Sequence, residues 1–326
     1  MSLLNRGVLV TGAAGFIGYH VSRRLLDEGY MVYGIDNLND YYDVELKKAR
    51  LAQLNRYQNF KFEKLDIANT QALEIFFKKI ECGHVVHLAA QAGVRYSLIN
   101  PAVYTQSNLL GFANLLECSR QAQIEHFIYA STSSVYGIST KYPFVEMDTT
   151  DSPLSFYAAT KKANEVMAYS YASLYKIPVT GLRFFTVYGP WGRPDMALFK
   201  FTDKILRGES IKVYNKGVLY RDFTYVDDIV EGLFRILRTS PNSTQLAEIY
   251  NIGFGQPVKL TDFIDELELQ LGIKANKVFV AMQKGDMYRT FADVNKLEKQ
   301  ISYSPKIALK EGISCFLKWY KEYYKF

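Results

Sequence analysis

Apolar runs of strand length alternate with segments of helical periodicity through the first half of the chain. Val8 to Thr11, Met31 to Asp36, Phe60 to Leu65, His84 to Ala89, His126 to Ser131 and Val179 to Phe184 read as strands. Between them the apolar spacing predicts helices near 16–28, 43–55, 70–80, 101–122 and 155–175. Alternation of this kind predicts an α/β fold, a doubly wound parallel sheet of Rossmann type with helices on both faces. His84-Val85-Val86-His87-Leu88 is almost continuously apolar in character, as a strand buried on both faces requires, so His84 and His87 read as structural.

After Tyr188 the texture changes to Gly189-Pro190-Trp191-Gly192-Arg193-Pro194, a rigid loop followed by shorter elements. Asp227 to Leu237 again reads as a helix and Glu248 to Ile252 as a strand, so the chain is expected to rejoin the sheet. The expected division is a larger domain of residues 1–180 plus about 223–253, and a smaller α/β domain of 181–222 plus 254–326. Ile313 to Tyr324 forms an amphipathic closing helix whose Phe316, Trp319, Tyr320 and Tyr323 read as docked core rather than a membrane anchor.

Composition narrows the class. At 326 residues, 48% hydrophobic and 22% charged, the chain has ample material for a large core. No apolar run approaches the ~18 residues of a membrane span, and no charged-then-apolar leader precedes the first strand, so a cytoplasmic protein without membrane partners is expected. Three cysteines (Cys82, Cys118 and Cys315) without C-x-x-C spacing argue against a disulfide framework and a zinc site; no metal is expected. The net charge of +6 is spread without any block of five like charges, which gives nucleic-acid binding little support. It suits a small polyanionic substrate or a merely solvated surface.

The first candidate chemistry lies between Val8 and Asp36. An apolar strand runs into Thr11-Gly12-Ala13-Ala14-Gly15-Phe16-Ile17-Gly18, then a helix, then a second strand ending in Asp36. Gly12 permits a tight turn, Gly15 a close approach of backbone to a pyrophosphate, and Gly18 close packing of helix on strand. Backbone N–H groups at the helix start then hold the negative charge. A carboxylate at Asp36 accepts hydrogen bonds from a ribose diol and repels a 2′-phosphate, so NAD is favoured over NADP. No arginine occurs among Asn37, Leu38 and Asn39, although Lys47 and Lys48 follow. Phe16, Ile17, Asn37, Asp66, Ile67, Leu88, Ala89 and Ala90, with Tyr157 and Lys161, complete the expected dinucleotide-binding set.

The second lies in Tyr157-Ala158-Ala159-Thr160-Lys161, where four-residue spacing puts a phenol and an ammonium on one helix face. A phenol with a reference pKa of about 10 is a poor base near neutrality, and adjacent cations favour the phenolate. The fifth strand ends in a hydroxyl cluster, Ser131-Thr132-Ser133-Ser134, at the carboxyl edge where doubly wound sheets bind ligands.

With glycine loop, hydroxyl cluster and Tyr/Lys pair in this order, the chain resembles the extended short-chain dehydrogenase/reductase family over nearly its whole length. Within it the chain is similar to the nucleotide-sugar 4-epimerases, most closely those acting on UDP-glucuronate. The stretches Asn37 to Tyr42, His87 to Ser97, Leu182 to Leu198 and Arg221 to Asp228 carry this likeness. The resemblance implies Tyr157 as acid/base, Lys161 as its pKa-lowering partner and ribose ligand, and Thr132 as the hydroxyl on the reacting oxygen. Ser133 and Ser134 are candidate secondary contacts. It implies NAD as a recycled cofactor, a 4-keto sugar that turns over before re-reduction, and a homodimer. For that dimer Leu109, Leu110, Phe112, Leu115 and Leu116 are candidate apolar positions, which core packing explains equally well.

A C4 ketone makes the C6 carboxylate of a uronic acid a β-keto acid, so an epimerase must hold that carboxylate out of the geometry for losing CO2. The resemblance puts Thr186 and Arg193 near C6, where an arginine fork engages a carboxylate through two hydrogen bonds. Buttressing the Pro/Gly-rich loop is the alternative role of Arg193. Arg95 is a candidate sugar or phosphate contact, and Arg221 is assigned to the UDP diphosphate. Ser133 and Ser134 stand where related dehydratases and decarboxylases carry acids, which speaks against both activities. UDP-galactose 4-epimerases carry asparagine at the position of Thr186 and an arginine near Gly285-Asp286, where this chain has Gln283 and Lys284. A 4-epimerase of UDP-glucose or UDP-N-acetylglucosamine, and a nucleotide-sugar-sensing protein on the same fold, remain the competing expectations.

Overall fold

The computed structural model describes residues 6–139, 141–239, 246–283 and 286–326. Its first half builds strands β1 (Gly7–Thr11), β2 (Val32–Asp36), β3 (Phe60–Lys64), β4 (Cys82–His87), β5 (His126–Thr132) and β6 (Val179–Phe184). The later strands are β7 (Thr186–Tyr188), β8 (Ile211–Tyr214), β9 (Tyr220–Tyr225), β10 (Ala247–Ile252), β11 (Pro257–Lys259), β12 (Lys277–Val280) and β13 (Arg289–Thr290).

The central sheet is parallel throughout, in the order β3-β2-β1-β4-β5-β6-β10. Every residue of β1, β4 and β6 is buried, which is what covers on both faces impose and why these strands lack polar alternation. The expected return of the chain to the sheet is β10, paired with β6 from Ala247↔Val179 to Ile252↔Phe184. Residues 181–184, expected in the smaller unit, complete β6 within this sheet. The order reverses between β1 and β4, so the loops leaving their carboxyl ends diverge and open a crevice there.

Helices α1 (Phe16–Asp27), α2 (Val44–Leu54), α3 (Thr70–Phe77), α4 (Pro101–Tyr104), α5 (Gly111–Gln121) and α6 (Phe156–Tyr175) link the strands. The expected single helix over 101–122 is interrupted by a π segment at Thr105–Leu110. There Asn164 Nδ2 donates to the Asn108 carbonyl at 2.6 Å. Phe112, Leu115 and Leu116 are fully buried in the core with Phe127 and Val85, so they face the sheet and not a second subunit. Of the five candidates for a dimer face, Leu110 is exposed.

Beyond the central sheet, β9 is flanked by β11, β13 and β7, and β12 pairs with β8. Helices α7 (Ala197–Leu206), α8 (Val226–Arg238), α9 (Leu260–Leu271), α10 (Asn295–Ile301) and α11 (Leu309–Tyr324) complete the chain. As expected, α11 docks inward: Phe316 and Tyr320 are buried, and Trp319 and Tyr323 pack 5.3 and 5.2 Å from the Trp191 ring. Among the described residues no helix is long and apolar enough to cross a membrane.

Candidate active site

A cavity of about 410 Å³ opens along the carboxyl edge of the central sheet, across the switch between β1 and β4. At one end lies the glycine loop. Gly12 has φ +71°, and a Cβ there would lie 2.8 Å from the Ala89 nitrogen. A Cβ at Gly18 would overlap the Gly12 carbonyl, so α1 packs onto the turn only because both positions are glycine. The loop lies against the cavity with its backbone bare, as close approach of a pyrophosphate demands.

Asp36 closes β2 with both oxygens engaged: Ala14 N–H donates to Oδ2 at 3.2 Å and Leu38 N–H to Oδ1 at 2.8 Å. Burial raises its pKa, and those two N–H groups with the nearby Lys47 charge pull it partway back. Each oxygen retains a lone pair for a ribose hydroxyl. Asn37 donates to Asp66 Oδ2 at 2.9 Å, tying the ends of β2 and β3 together beside Ile67. Because β4 ends at His87, two residues before the expected Ala89, Leu88, Ala89 and Ala90 lie in the loop that forms the cavity wall.

At the other end, Ser155 caps α6 by accepting from Ala158 N–H at 3.1 Å, which fixes the helix start at Phe156, one residue before Tyr157. Tyr157 and Lys161 both line the cavity, with Thr132, Ser133 and Ser134 opposite at the end of β5. Lys161 is 2% exposed, and its Nζ donates to one acceptor, the Ala130 carbonyl at 3.0 Å. Burial lowers it to about 8. Burial raises the Tyr157 phenol, and the Thr132 hydroxyl and Arg193 charge draw it partway back. The Lys161 ammonium is turned onto the strand carbonyl. Asn108 braces this end, donating to the Gln91 carbonyl and Thr160 hydroxyl, each at 3.0 Å.

Arg193 and Thr186 stand in the same wall. Arg193 Nε donates to Asp195 Oδ1 at 2.9 Å and Nη2 to Oδ2 at 2.5 Å. Tyr41 donates to the same carboxylate at 3.3 Å. Burial opposes both charges, yet the pairing wins, holding Asp195 below and Arg193 above their ordinary ranges.

Of the expected site residues, Arg95 and Arg221 lie outside this cavity wall. The Arg95 guanidinium stacks 5.0 Å from the Tyr214 ring centre. Arg221, on β9, turns onto Asp286 and donates to the Tyr220 carbonyl at 2.8 Å. Lys284 and Gly285, compared above with UDP-galactose 4-epimerases, lie outside the described residues. Sequence reasoning missed Asp195, whose signal was its carboxylate two residues past Arg193, and it gave no role to Asn39, Tyr41, Tyr42 and Lys47, which also line the cavity.

The residues present fit a dinucleotide: a bare glycine cradle, an acid at the end of β2, and a buried lysine with N–H donors to spare. Fold and site together define a protein of the short-chain dehydrogenase/reductase type, with the Tyr/Lys helix facing the cradle. Residues 8–253 match the model of the NAD dependent epimerase/dehydratase family, and the chain belongs to that family. It is 49% identical to Protein CapI of Staphylococcus aureus, over 98% of this chain and 99% of that one. UDP-glucuronate 4-epimerase 4 of Arabidopsis thaliana is 48% identical, over 97% of this chain and 76% of its own length. Among solved structures, UDP-glucuronic acid 4-epimerase from Bacillus cereus, in complex with UDP-glucuronic acid and NAD, superposes with a TM-score of 0.92. It shares 35% identity over 98% of this chain and 100% of that one.

Proposed function

We propose that this chain is an NAD-dependent 4-epimerase that interconverts UDP-glucuronate and UDP-galacturonate. The observation that carries the reading is Arg193 in the wall of the cavity that also holds Tyr157, close enough for its charge to act on the phenol. A guanidinium at that place selects a sugar with a carboxylate, and the likeness to UDP-glucuronate 4-epimerases from plant and bacterial sources supports the same substrate.

When bound, NAD takes hydride from the sugar C4 and gives it back. Gly12, Gly15 and Gly18 leave room for its pyrophosphate, and Asp36 accepts from its ribose hydroxyls. Tyr157 takes the proton from O4 and returns it to the 4-keto sugar after the sugar has turned. Thr132 bonds the same oxygen. Lys161 holds positive charge beneath this exchange and donates to the ribose. Arg193 with Thr186 grips the C6 carboxylate, which keeps the β-keto acid from the geometry that loses CO2. Arg221 and Arg95, outside this cavity, are assigned to the UDP portion.

In this reading residues up to 184, with those from 226 to 252, form the cofactor unit, and the remainder forms the substrate unit. A homodimer also belongs to it. The exposed apolar side chains Leu110 and, on α6, Val166, Tyr169 and Leu174 support a subunit contact along these helices, in place of the buried leucines. Light scattering at micromolar concentration tests this, and a monomer overturns it. The cytoplasm is the assigned compartment. Burial pushes the Cys82 and Cys118 thiols up to about 12 and about 11, which suits permanently reduced residues.

Proton NMR of the protein with UDP-glucuronate, UDP-glucose and UDP-N-acetylglucosamine, with and without added NAD, tests the function. New anomeric signals of UDP-galacturonate, and none from neutral sugars, are expected. A UDP-pentose, or turnover of neutral sugars alone, overturns it.

A further inference from the structure

Arg50, on α2, is fully buried, yet among the described residues no carboxylate lies within salt-bridge distance of it. All five of its N–H donors are used. Nη1 donates to the Ala14 carbonyl in the glycine loop and to the Tyr42 hydroxyl, each at 2.8 Å. Nε and Nη2 both donate to the Trp191 carbonyl, at 3.1 and 2.6 Å, and Nη2 also to the Gly192 carbonyl at 3.2 Å. One side chain therefore joins the cofactor cradle to the loop immediately before Arg193.

That loop needs holding. Trp191 sits at φ +60°, a left-handed conformation that a bulky side chain rarely adopts unless its surroundings impose it. The preceding carbonyl, Pro190, accepts from His20 Nε2 on α1 at 2.9 Å. A carbonyl only accepts, so that nitrogen carries the hydrogen. Three consecutive carbonyls, Pro190, Trp191 and Gly192, are thus captured by side chains of α1 and α2. Arg193 follows directly, with its own fork set by Asp195.

We propose that Arg50 is a positioning residue for Arg193: it registers the carboxylate-gripping guanidinium against the dinucleotide cradle. The inference rests on the proposed function, in which Arg193 receives the sugar C6 carboxylate. Its mechanical content is that the acid-recognising arm, part of the substrate unit, is tied directly to the cofactor unit. The Arg193 guanidinium then keeps its place relative to the cofactor cradle when the sugar turns. Lysine cannot replace this residue, because three donors on a cone cannot meet four acceptors arranged around a planar fork.

The test compares NAD-loaded parent and Arg50→Lys by calorimetric titration with UDP-glucuronate and with UDP, and by KM and kcat from NMR. UDP-glucuronate binding is expected to weaken by about tenfold or more and KM to rise with it, one lost charge-assisted hydrogen bond being of that size. UDP binding is expected to hold within about twofold, well under the effect of any lost hydrogen bond. Unchanged binding of both ligands overturns the proposal, and so does an equal loss for both, which a general structural role produces. If Arg50→Lys does not yield folded, NAD-loaded protein, His20→Phe is read by the same comparison. It removes the donor to Pro190 but keeps an aromatic ring, and equal or absent losses again overturn the proposal. A parent that binds UDP but does not turn over UDP-glucuronate defeats the proposed function instead.

Discussion

Arg193 and Asp195 form a side-on ion pair in the cavity wall, Nε to Oδ1 at 2.9 Å and Nη2 to Oδ2 at 2.5 Å. The pair consumes one edge of the guanidinium and leaves Nη1 with the outer N–H of Nη2 for a second carboxylate. Asp195 thus orients the fork while leaving its end free. Replacing the arginine by methionine keeps an apolar stem and removes the fork. Hydrogen bonds to a charged group contribute about 1.5–3 kcal/mol, so Arg193→Met should raise KM for UDP-glucuronate about 10- to 100-fold. KM for neutral UDP-glucose should stay near that of the parent. Equal changes for both sugars would return Arg193 to a loop-buttressing role.

Tyr157 is the one phenol on α6 that shares the cavity with Thr132 and Lys161. Loss of a general acid/base costs about 10²- to 10⁴-fold in rate, so Tyr157→Phe should lower turnover by about that factor. NAD retention should persist, because the glycine loop and Asp36 are remote from the change. Turnover near the parent value, read by NMR, would remove Tyr157 from the mechanism.

Much of this was legible in the chain because it is local. The strand and helix pattern, the three glycines and the four-residue Tyr157/Lys161 spacing are properties of short windows, and each reappears in place. What was not legible depends on contacts between distant segments. Arg50 meets Ala14 and Trp191 at sequence separations of 36 and 141, and nothing in its neighbourhood marks it as other than one more helical cation. The π segment around Asn108 likewise coincides with a hydrogen bond from Asn164, on another helix. Arg95 and Arg221 show a further limit: sequence places an arginine near a site, but Tyr214 and Asp286 decide where its fork turns.

Behind the candidate catalytic helix, Glu165 and Arg183 form a buried bidentate pair at 2.8 and 2.9 Å. Ser131 donates to the same carboxylate at 2.6 Å, so the pair ties α6 to both β5 and β6. Removing one partner of such a pair strands the other charge in the interior, which costs about 3–5 kcal/mol. Glu165→Leu should therefore lower the unfolding midpoint by roughly 10 °C in a thermal melt, about 2–4 °C for each kcal/mol in a large domain. A midpoint within about 2 °C of the parent, less than 1 kcal/mol on that scale, would show that the pair adds little to stability.

All four histidines, His20, His84, His87 and His126, are buried, and burial lowers the pKa of each below the usual 6.5. His20 and His126 fall to about 3. Their partners suit neutral rings: His87 shares a 2.7 Å hydrogen bond with Thr11, and His126 a 2.8 Å one with Thr180. Between the folded and unfolded pKa values the unfolded chain binds more protons, so stability rises with pH and is lost as pH falls below about 6.5. Each ring that stays neutral contributes up to about 1.4 kcal/mol per pH unit in that window. Asp36 and Asp222 act in the opposite sense, since burial raises both. Thermal melts from pH 7.5 to 5.5 should show a midpoint that is nearly flat at first and then drops steeply below about 6.5, the unfolded-state value of histidine. His126→Gln, which keeps a donor for Thr180 and cannot titrate, should reduce that slope. A midpoint independent of pH down to 5.5 would mean that these rings gain protons in the folded protein as readily as in the unfolded chain.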